Sequence, residues 1–523
     1  MPILKPIHLI FYLLLLVCLS PTLMKNDTGY RTYDEIHTET RLDTLLSGEQ
    51  LANLYCKMCH EYPEPRLLDR DTWINSVLPN MGLRMGVKIP GVDPFAGTPQ
   101  EDLEIVKSLG VYPEAPIISD ADWNKIIEYY KKEAPEEPIK INSEAPITNL
   151  VHFNVDKVFI NNKGFPQTSL LEFNRFNATL YLGEANNLIH VLDDKMQLKS
   201  TRRLISPAVD IEFKADGAIK LLTIGKFDPS DQNLGELNSI QRGSSNQNIR
   251  LPDLPRPVSF SSGDLNGDDK EDVVICGFGH NRGKLLLYDN FDPGKASILK
   301  NEPGSRMVEI NDFNNDNKPD LMVLMAQARE QISIFYNKGQ NKFEEKVVLR
   351  FPPVYGVSYF ELVDFNNDGY MDILLTNGDN WDYSVIRKNY HGIRIYLNDG
   401  RDNFENTFFY PLYGASKAIA RDFDNDGDLD IAASAFYHND DNPEHSFIYL
   451  LNSGSLDFTA YATPEASLGK WLTMDVGDYD RDGDLDIFLG SYFHTFGEYV
   501  KQVAKGAADF PNLLVLTNNS ITN

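Results

Sequence analysis

"DFDNDGDLD", residues 422–430, places oxygen-bearing side chains at its first, third, fifth and ninth positions and a glycine at its sixth. That spacing suits a hard cation: Asp422, Asp424, Asp426 and Asp430 can wrap one ion, Gly427 can take a left-handed turn, and Asp428 can offer its carbonyl. The pattern returns as "DLNGDDKED" at 264, "DFNNDNKPD" at 312, "DFNNDGYMD" at 364 and "DYDRDGDLD" at 478. The corresponding ligands are Asp264, Asn266, Asp268 and Asp272; Asp312, Asn314, Asp316 and Asp320; Asp364, Asn366, Asp368 and Asp372; and Asp478, Asp480, Asp482 and Asp486. One such copy could be a solvated acidic turn. Five in register crowd so many carboxylates that a cation is the natural relief. An EF-hand does not fit, because position 12 lacks its bidentate Glu in every copy and the flanks read as strands.

The copies start 48, 52, 58 and 56 residues apart, the length of a four-stranded propeller blade with a variable loop. Each is followed by β-runs such as "DILLT" or "DIFLG", then by another such as "GIRIYLNDG" or "SFIYLLNSG". Two weaker units precede them. "SLLEFNRFNATLYLGEANNLIHVLD" reads as strand pairs without a metal loop, and "SPAVDIEFKADGAIKLLTIG" keeps only Asp210, Asp216 and Gly217 of the pattern. Two and five make seven blades over residues 145–523, with "NLLVLTNN" as either the last strand or the one that closes the ring. These units resemble the FG-GAP or VCBS repeats of integrin-α-like β-propellers. The resemblance implies an all-β seven-bladed propeller whose hairpins bind up to five Ca2+.

Upstream, "NLYCKMCHEYPEP", residues 53–65, contains a C-x-x-C-H run. A structural zinc site needs a second ligand pair, and the chain offers none, since Cys18 and Cys276 are its other cysteines. A thioredoxin-like pair would follow a strand, whereas Leu51, Leu54 and Tyr55 have helical spacing. Two thiols three residues apart can reach the two vinyl groups of one haem, with the adjacent imidazole beneath its iron. A local disulfide is the alternative. Met81 and Met85, in "WINSVLPNMGLRMG", sit in what reads as a Pro/Gly-punctuated loop and could supply a sixth ligand. "SDADWNKIIEYYKKEAPEEP" reads as a helix capped by Ser119 or Asp120, with Trp123, Ile126, Ile127 and Tyr130 on one face. With these elements in place, residues 41–138 resemble a small all-α class I cytochrome c domain. The resemblance implies covalent haem c on Cys56 and Cys59, His60 as proximal ligand, and Met81, or else Met85, as distal ligand.

The chain has 523 residues and a formal charge of −27, so a nucleic acid or an anionic membrane surface would repel it. Residues 1–24 combine Lys5 with a short apolar run and read as an export signal. Cys18 in "LLVC" resembles a lipoprotein box, leaving lipid anchoring and an ordinary or uncleaved signal both open. The expected location is therefore periplasm or cell surface, with a membrane tether through the N-terminus as one form.

Loops on the rim opposite the metal hairpins carry His280, Arg282, Arg329, Trp381, Arg387, His438 and His494, a polar and aromatic mouth suited to a ligand. No nucleophile, base and oxyanion set is legible. The expected function is electron transfer by an exported haem protein whose calcium-stabilised propeller docks a redox partner or ligand. The alternatives are a surface module binding glycan or protein, and a haem-linked dehydrogenase subunit.

Overall fold

The six-residue runs that follow the aspartate loops, such as Asp372–Asn377, Asp430–Ala435 and Asp486–Ser491, are buried along their whole length. Strands sandwiched between two neighbouring sheets lose water on both faces, so these runs are apolar almost throughout. In the computed structural model, residues 45–523 are described except 142–144, 161–163, 241–248, 328, 381–383, 438–441, 505, 507–509 and 521–523. The export segment 1–24 with Cys18, residues 41–44 of the helical region, and the rim residues Trp381 and His438 lie outside the described residues.

Seven antiparallel sheets form the seven expected blades. The first two span 168–203 and 208–254, where the two weak units stand. The next four span 257–300, 305–350, 357–411 and 415–462. Blade 6 gains a short parallel edge strand, Ile147–Thr148, beside Tyr461 and Ala462.

Blade 7 is built from both ends of the propeller. Trp471–Gly477, Asp486–Ser491 and Leu513–Asn518 supply three strands, and Phe153–Val158 adds the fourth, with Phe153 opposite Asn518 and Val158 opposite Leu513. "NLLVLTNN" is thus the third strand of the last blade, and the closing strand comes from the N-terminal side. This seam removes the open sheet edge that an unclosed ring would expose. Phe153 packs it shut against Phe423 and Tyr449, with ring centroids 5.9 and 5.2 Å away.

Residues 45–141 make a separate helical unit. Helix α1, Gly48–Tyr55, begins at a capping box between Ser47 and Gln50 and runs into a tight turn at Cys56–Met58. Helix α2 is continuous through Arg70–Thr72, a π-helical turn at Trp73–Val77, and Leu78–Arg84. Helix α3 is Leu103–Ser108, and helix α4, Asp120–Glu133, is capped by Ser119 as expected. Leu51, Trp73, Trp123, Ile126 and Tyr130 share one buried core. Gly48 lets α1 and α4 cross closely: a Cβ there would stand 2.2 Å from the Lys125 carbonyl oxygen.

One expectation is corrected here. Met81 lies on α2 and Met85 caps its C-terminal end, so neither sits in an irregular loop. The π turn ends where Leu78 donates to the Trp73 carbonyl, and the missing N–H of Pro79 falls in the turn just after it, so the proline is absorbed without breaking the helix.

Candidate functional site: the cavity under the helical unit and the aspartate loops

Antiparallel strands send alternate connections to opposite faces of the propeller, so the helical unit sits on the face away from the aspartate loops. Val354 and Tyr390 from blade 5 and the loop before it join the helical core, Glu61 pairs with Arg350 at 3.5 Å, and Asp102 accepts from Gln232 at 2.9 Å. A cavity of about 1460 Å3 lies between the two parts.

On the helical side, Cys56, Cys59, His60, Met81 and Met85 all open onto that cavity, against walls that include Trp73 and Trp123. The i, i+4 spacing of the two methionines puts both on one face of α2. Met85 is 9% exposed and belongs to the core, whereas Met81 is only partly buried. Both cysteines are free thiols. Burial pushes the Cys56 thiol up to about 11, although the Tyr130 hydroxyl beside it acts in the opposite sense. His60 Nδ1 donates to the Glu61 carbonyl at 2.7 Å, which leaves Nε2 as the bare nitrogen, and burial holds its pKa below the usual imidazole value. The "CHEYPEP" turn is held by α2 and α4: Tyr130 donates to the Pro63 carbonyl at 2.6 Å and Trp73 to the Pro65 carbonyl at 2.8 Å. Two thiols, an imidazole with a free Nε2 and a thioether around the helical end of one cavity, beside Trp73 and Trp123, are a donor set that fits a haem.

The propeller side of the cavity is charged. Of the rim residues named from sequence, His280 and His494 line it. Arg329 instead lines a small adjoining pocket with Lys57 and His60, Arg282 is held by Asp231, and Arg387 points to solvent. Sequence reasoning missed Arg256 and Arg306 and, among the acidic residues of the innermost strands, named only Asp210, as a remnant of an aspartate loop; it lies instead on the inner strand Ala208–Phe213. Several of those acids also fasten neighbouring blades: Asp475 accepts from Phe173 N–H at 2.7 Å, Asp210 from Phe260 N–H at 2.9 Å, and Glu361 from Ala420 N–H at 2.8 Å. Burial pushes Asp210 up to about 6 and Glu309 up to about 7, with Lys417 as an opposing charge for both. The signal was present as polar residues interrupting otherwise apolar strands, but which of them meet depends on ring closure.

The aspartate loops are alike in detail. In each, position 4 and position 6 are left-handed, as at Asn425 (φ 61°) and Gly427 (φ 98°); only the second was expected. In four of the five the first aspartate accepts backbone N–H groups from across its own turn, as Asp422 does from Asp426 and Gly427; the fifth loop, starting at Asp478, departs from this. Asp422, Asp424 and Asp426 bring carboxylate oxygens within 4.8 Å of one another, and so do Asp478, Asp480 and Asp486. Asp478 Oδ1 is buried without a hydrogen-bond partner, an orphan that a cation would satisfy.

The ninth positions, Asp272, Asp320, Asp372, Asp430 and Asp486, are fully buried and have a further task. Each accepts the N–H of its loop's second residue and that of an asparagine after or in the blade's third strand: Asn290, Asn337, Asn398, Asn452 and Asn518. Burial, opposed by these donated bonds, pushes Asp430 up to about 6 and Asp486 up to about 7.

Residues 312–375 and 422–489 match the FG-GAP-like repeat family, and these stretches contain the second to fifth aspartate loops. The propeller carries FG-GAP repeats. No curated protein matches the chain. Among solved structures, the FG-GAP propeller is loosely similar to the BBS1N chain crystallised with ARL6DN (9% identity, 71% of this chain and 98% of that chain, TM-score 0.42). It is similarly related to the Neurospora crassa Pan2 WD40 domain (10%, 72% and 99%, 0.42) and to the Myceliophthora thermophila Cps50 (Swd1) propeller domain (10%, 69% and 99%, 0.43). Likeness at this level carries no argument, and the fold rests on the sheet topology. An FG-GAP propeller is a scaffold of the kind that binds protein or glycan ligands.

Proposed function

We propose that the chain is an exported electron-transfer protein: its helical unit holds a covalent haem c, and its FG-GAP propeller, stiffened by up to five Ca2+, docks a redox partner or ligand over the same cavity. The observation that carries the haem assignment is the convergence of Cys56, Cys59, His60 and Met81 on one cavity. Cys56 and Cys59 would hold the group through thioether bonds, and His60 would ligate through Nε2 while Glu61 fixes its tautomer. Met81 is the favoured distal ligand because it keeps surface toward the cavity that Met85 has given to the core. When bound, haem supplies a one-electron couple. Trp73, Trp123 and Tyr130 make the helical wall apolar, and the propeller side is polar.

The calcium assignment rests on the converging carboxylates and on the orphaned Asp478 oxygen. Export rests on residues 1–24 alone. A ligand-binding module without a redox role is the second reading, favoured by the FG-GAP repeats themselves. A haem-stained denaturing gel of protein matured with cytochrome c assembly machinery separates the two. Stain in wild type and none in a Cys56→Ser/Cys59→Ser variant supports the first reading; no stain in either leaves the second.

A further inference from the structure

Arg256 and Arg306 face the propeller end of the cavity, and among the described residues neither guanidinium forms an ion pair. Arg256 spends its Nη groups on the Gly279 and Phe227 carbonyls, at 3.3 and 2.7 Å, while its Nε is buried without a partner. Arg306, on the innermost strand Ser305–Asn311 of blade 4, uses only its Nε, on the Ser358 carbonyl. Burial and the neighbouring Arg306 bring Arg256 down to about 10, and burial lowers Arg306 as well, with Asp379 opposing; an arginine side chain is a fixed cation in proteins. Asp228 and Asp379 line the same cavity, close enough for their fields to act on Arg256 but not to pair with it.

Two like charges withdrawn from water with no carboxylate in contact are costly, although Asp228, Asp231 and Asp379 offset part of the charge on Arg256, and Asp379 part of that on Arg306, from a distance. The backbone adds to that cost, since Arg256 is held at φ 42°, a left-handed conformation unusual for a long side chain. The Phe278 ring, 5.6 Å away, supports one face of its guanidinium. Guanidinium forks match carboxylates in shape and charge, and here the Nη edge of Arg306 stands on the same cavity as Arg256, whose own Nη groups also serve the Gly279 and Phe227 carbonyls, on a wall that carries Asp228, Asp379 and Glu330 as well.

We propose that Arg256 and Arg306 bind a ligand presenting two carboxylates in the cavity beneath the helical unit. Two sources share that chemistry: a small free dicarboxylate, and the two propionates of a haem anchored on the opposite wall. The site is made of the propeller's own residues and stands whether or not haem is present.

Succinate is the probe, titrated calorimetrically into the full chain produced with and without cytochrome c assembly machinery. Arg306 is the residue to change, because it holds one carbonyl where Arg256 holds two; melting curves check that Arg306→Gln folds. Succinate is expected to bind the haem-free chain, about tenfold or more weakly after Arg306→Gln, with part of the affinity kept by Arg306→Lys. Succinate excluded from haem-loaded protein, together with a reduction potential moved by Arg306→Gln, assigns the carboxylates to the propionates. Equal binding to both preparations assigns them to a free ligand. Binding undiminished by Arg306→Gln overturns the proposal. So does the absence of succinate binding combined with an unmoved potential or, where no haem is incorporated, the absence of binding alone.

Discussion

Asp486 Oδ1 accepts the backbone N–H of Asn518 at 2.9 Å, so the ninth residue of the last aspartate loop holds the third strand of the blade that closes the ring. Its other oxygen accepts Tyr479 N–H at 3.1 Å, and the Asn518 side chain donates to the carbonyls of Leu485 and, in blade 6, Phe423. Loop, strand and neighbouring blade are joined through one buried carboxylate and one asparagine. The prediction is that Asp486→Ala costs about 2–4 kcal/mol even in EGTA, because two buried N–H groups lose their acceptor. Denaturant unfolding in EGTA measures this, and a value within 0.5 kcal/mol of wild type, which is about the scatter of such measurements, would contradict it.

Calcium should add to this through the converging loop carboxylates, Asp422, Asp424 and Asp426 in one loop and Asp478, Asp480 and Asp486 in another. Chelation is expected to lower the propeller melting temperature, equivalent to about 2–3 kcal/mol for a site held at a hundred times its Kd. Asp424→Asn with Asp426→Asn should remove part of that response and leave any haem spectrum unchanged. Calorimetric melts with and without EGTA decide the matter; identical curves for wild type would mean that the loops are self-sufficient acidic turns.

The ring depends on a short N-terminal strand. Phe153→Ala empties a site between Phe423 and Tyr449 and should destabilise the propeller by about 3–5 kcal/mol. Hydrogen exchange would show the loss first in the amides of Leu513–Asn518, the strand that Phe153–Val158 covers.

Glu309 gives a pH signature. Burial raises its folded-state pKa to about 7 from an ordinary 4.5, with Asp210 and Glu361 adding to the rise and Lys417 opposing it. A raised carboxyl contributes stability that is fully present below the unfolded pKa and is lost as pH rises through the folded one. Glu309→Gln should therefore raise the melting temperature at pH 8 by roughly 1–2 °C and leave it nearly unchanged at pH 4.5. A variant less stable than wild type at pH 8 would show that Glu309 is paired in a way that offsets its burial.

The five aspartate loops were legible because each writes its oxygen-bearing side chains and a left-handed turn within nine residues, and their spacing gave the blade. The strand Phe153–Val158 was not, because "FNVDKV" has no loop attached and its partner lies at the other end of the chain. Four of the five asparagines that answer the ninth aspartates recur in "YNKG", "YLNDG", "LLNSG" and "LTNNS", but their role appears only when the strand register is known. Met81 was misplaced in a loop because Pro79 and Gly82 read as breakers, while the π turn at Trp73–Val77 and the packing of Gly82 against Trp123 keep the helix intact. Arg256 and Arg306 stand about fifty residues apart, on the border of one blade and the inner strand of another; only the ring brings them to one cavity.

The most direct test is an absorption spectrum of the purified full chain, matured with cytochrome c assembly machinery and recorded oxidised and then dithionite-reduced. The account predicts a sharp reduced α-band that persists in denatured protein and is absent from the His60→Ala and Cys56→Ser/Cys59→Ser variants. A colourless wild-type protein, folded by its melting curve, would contradict it and leave the FG-GAP propeller as a binding module alone.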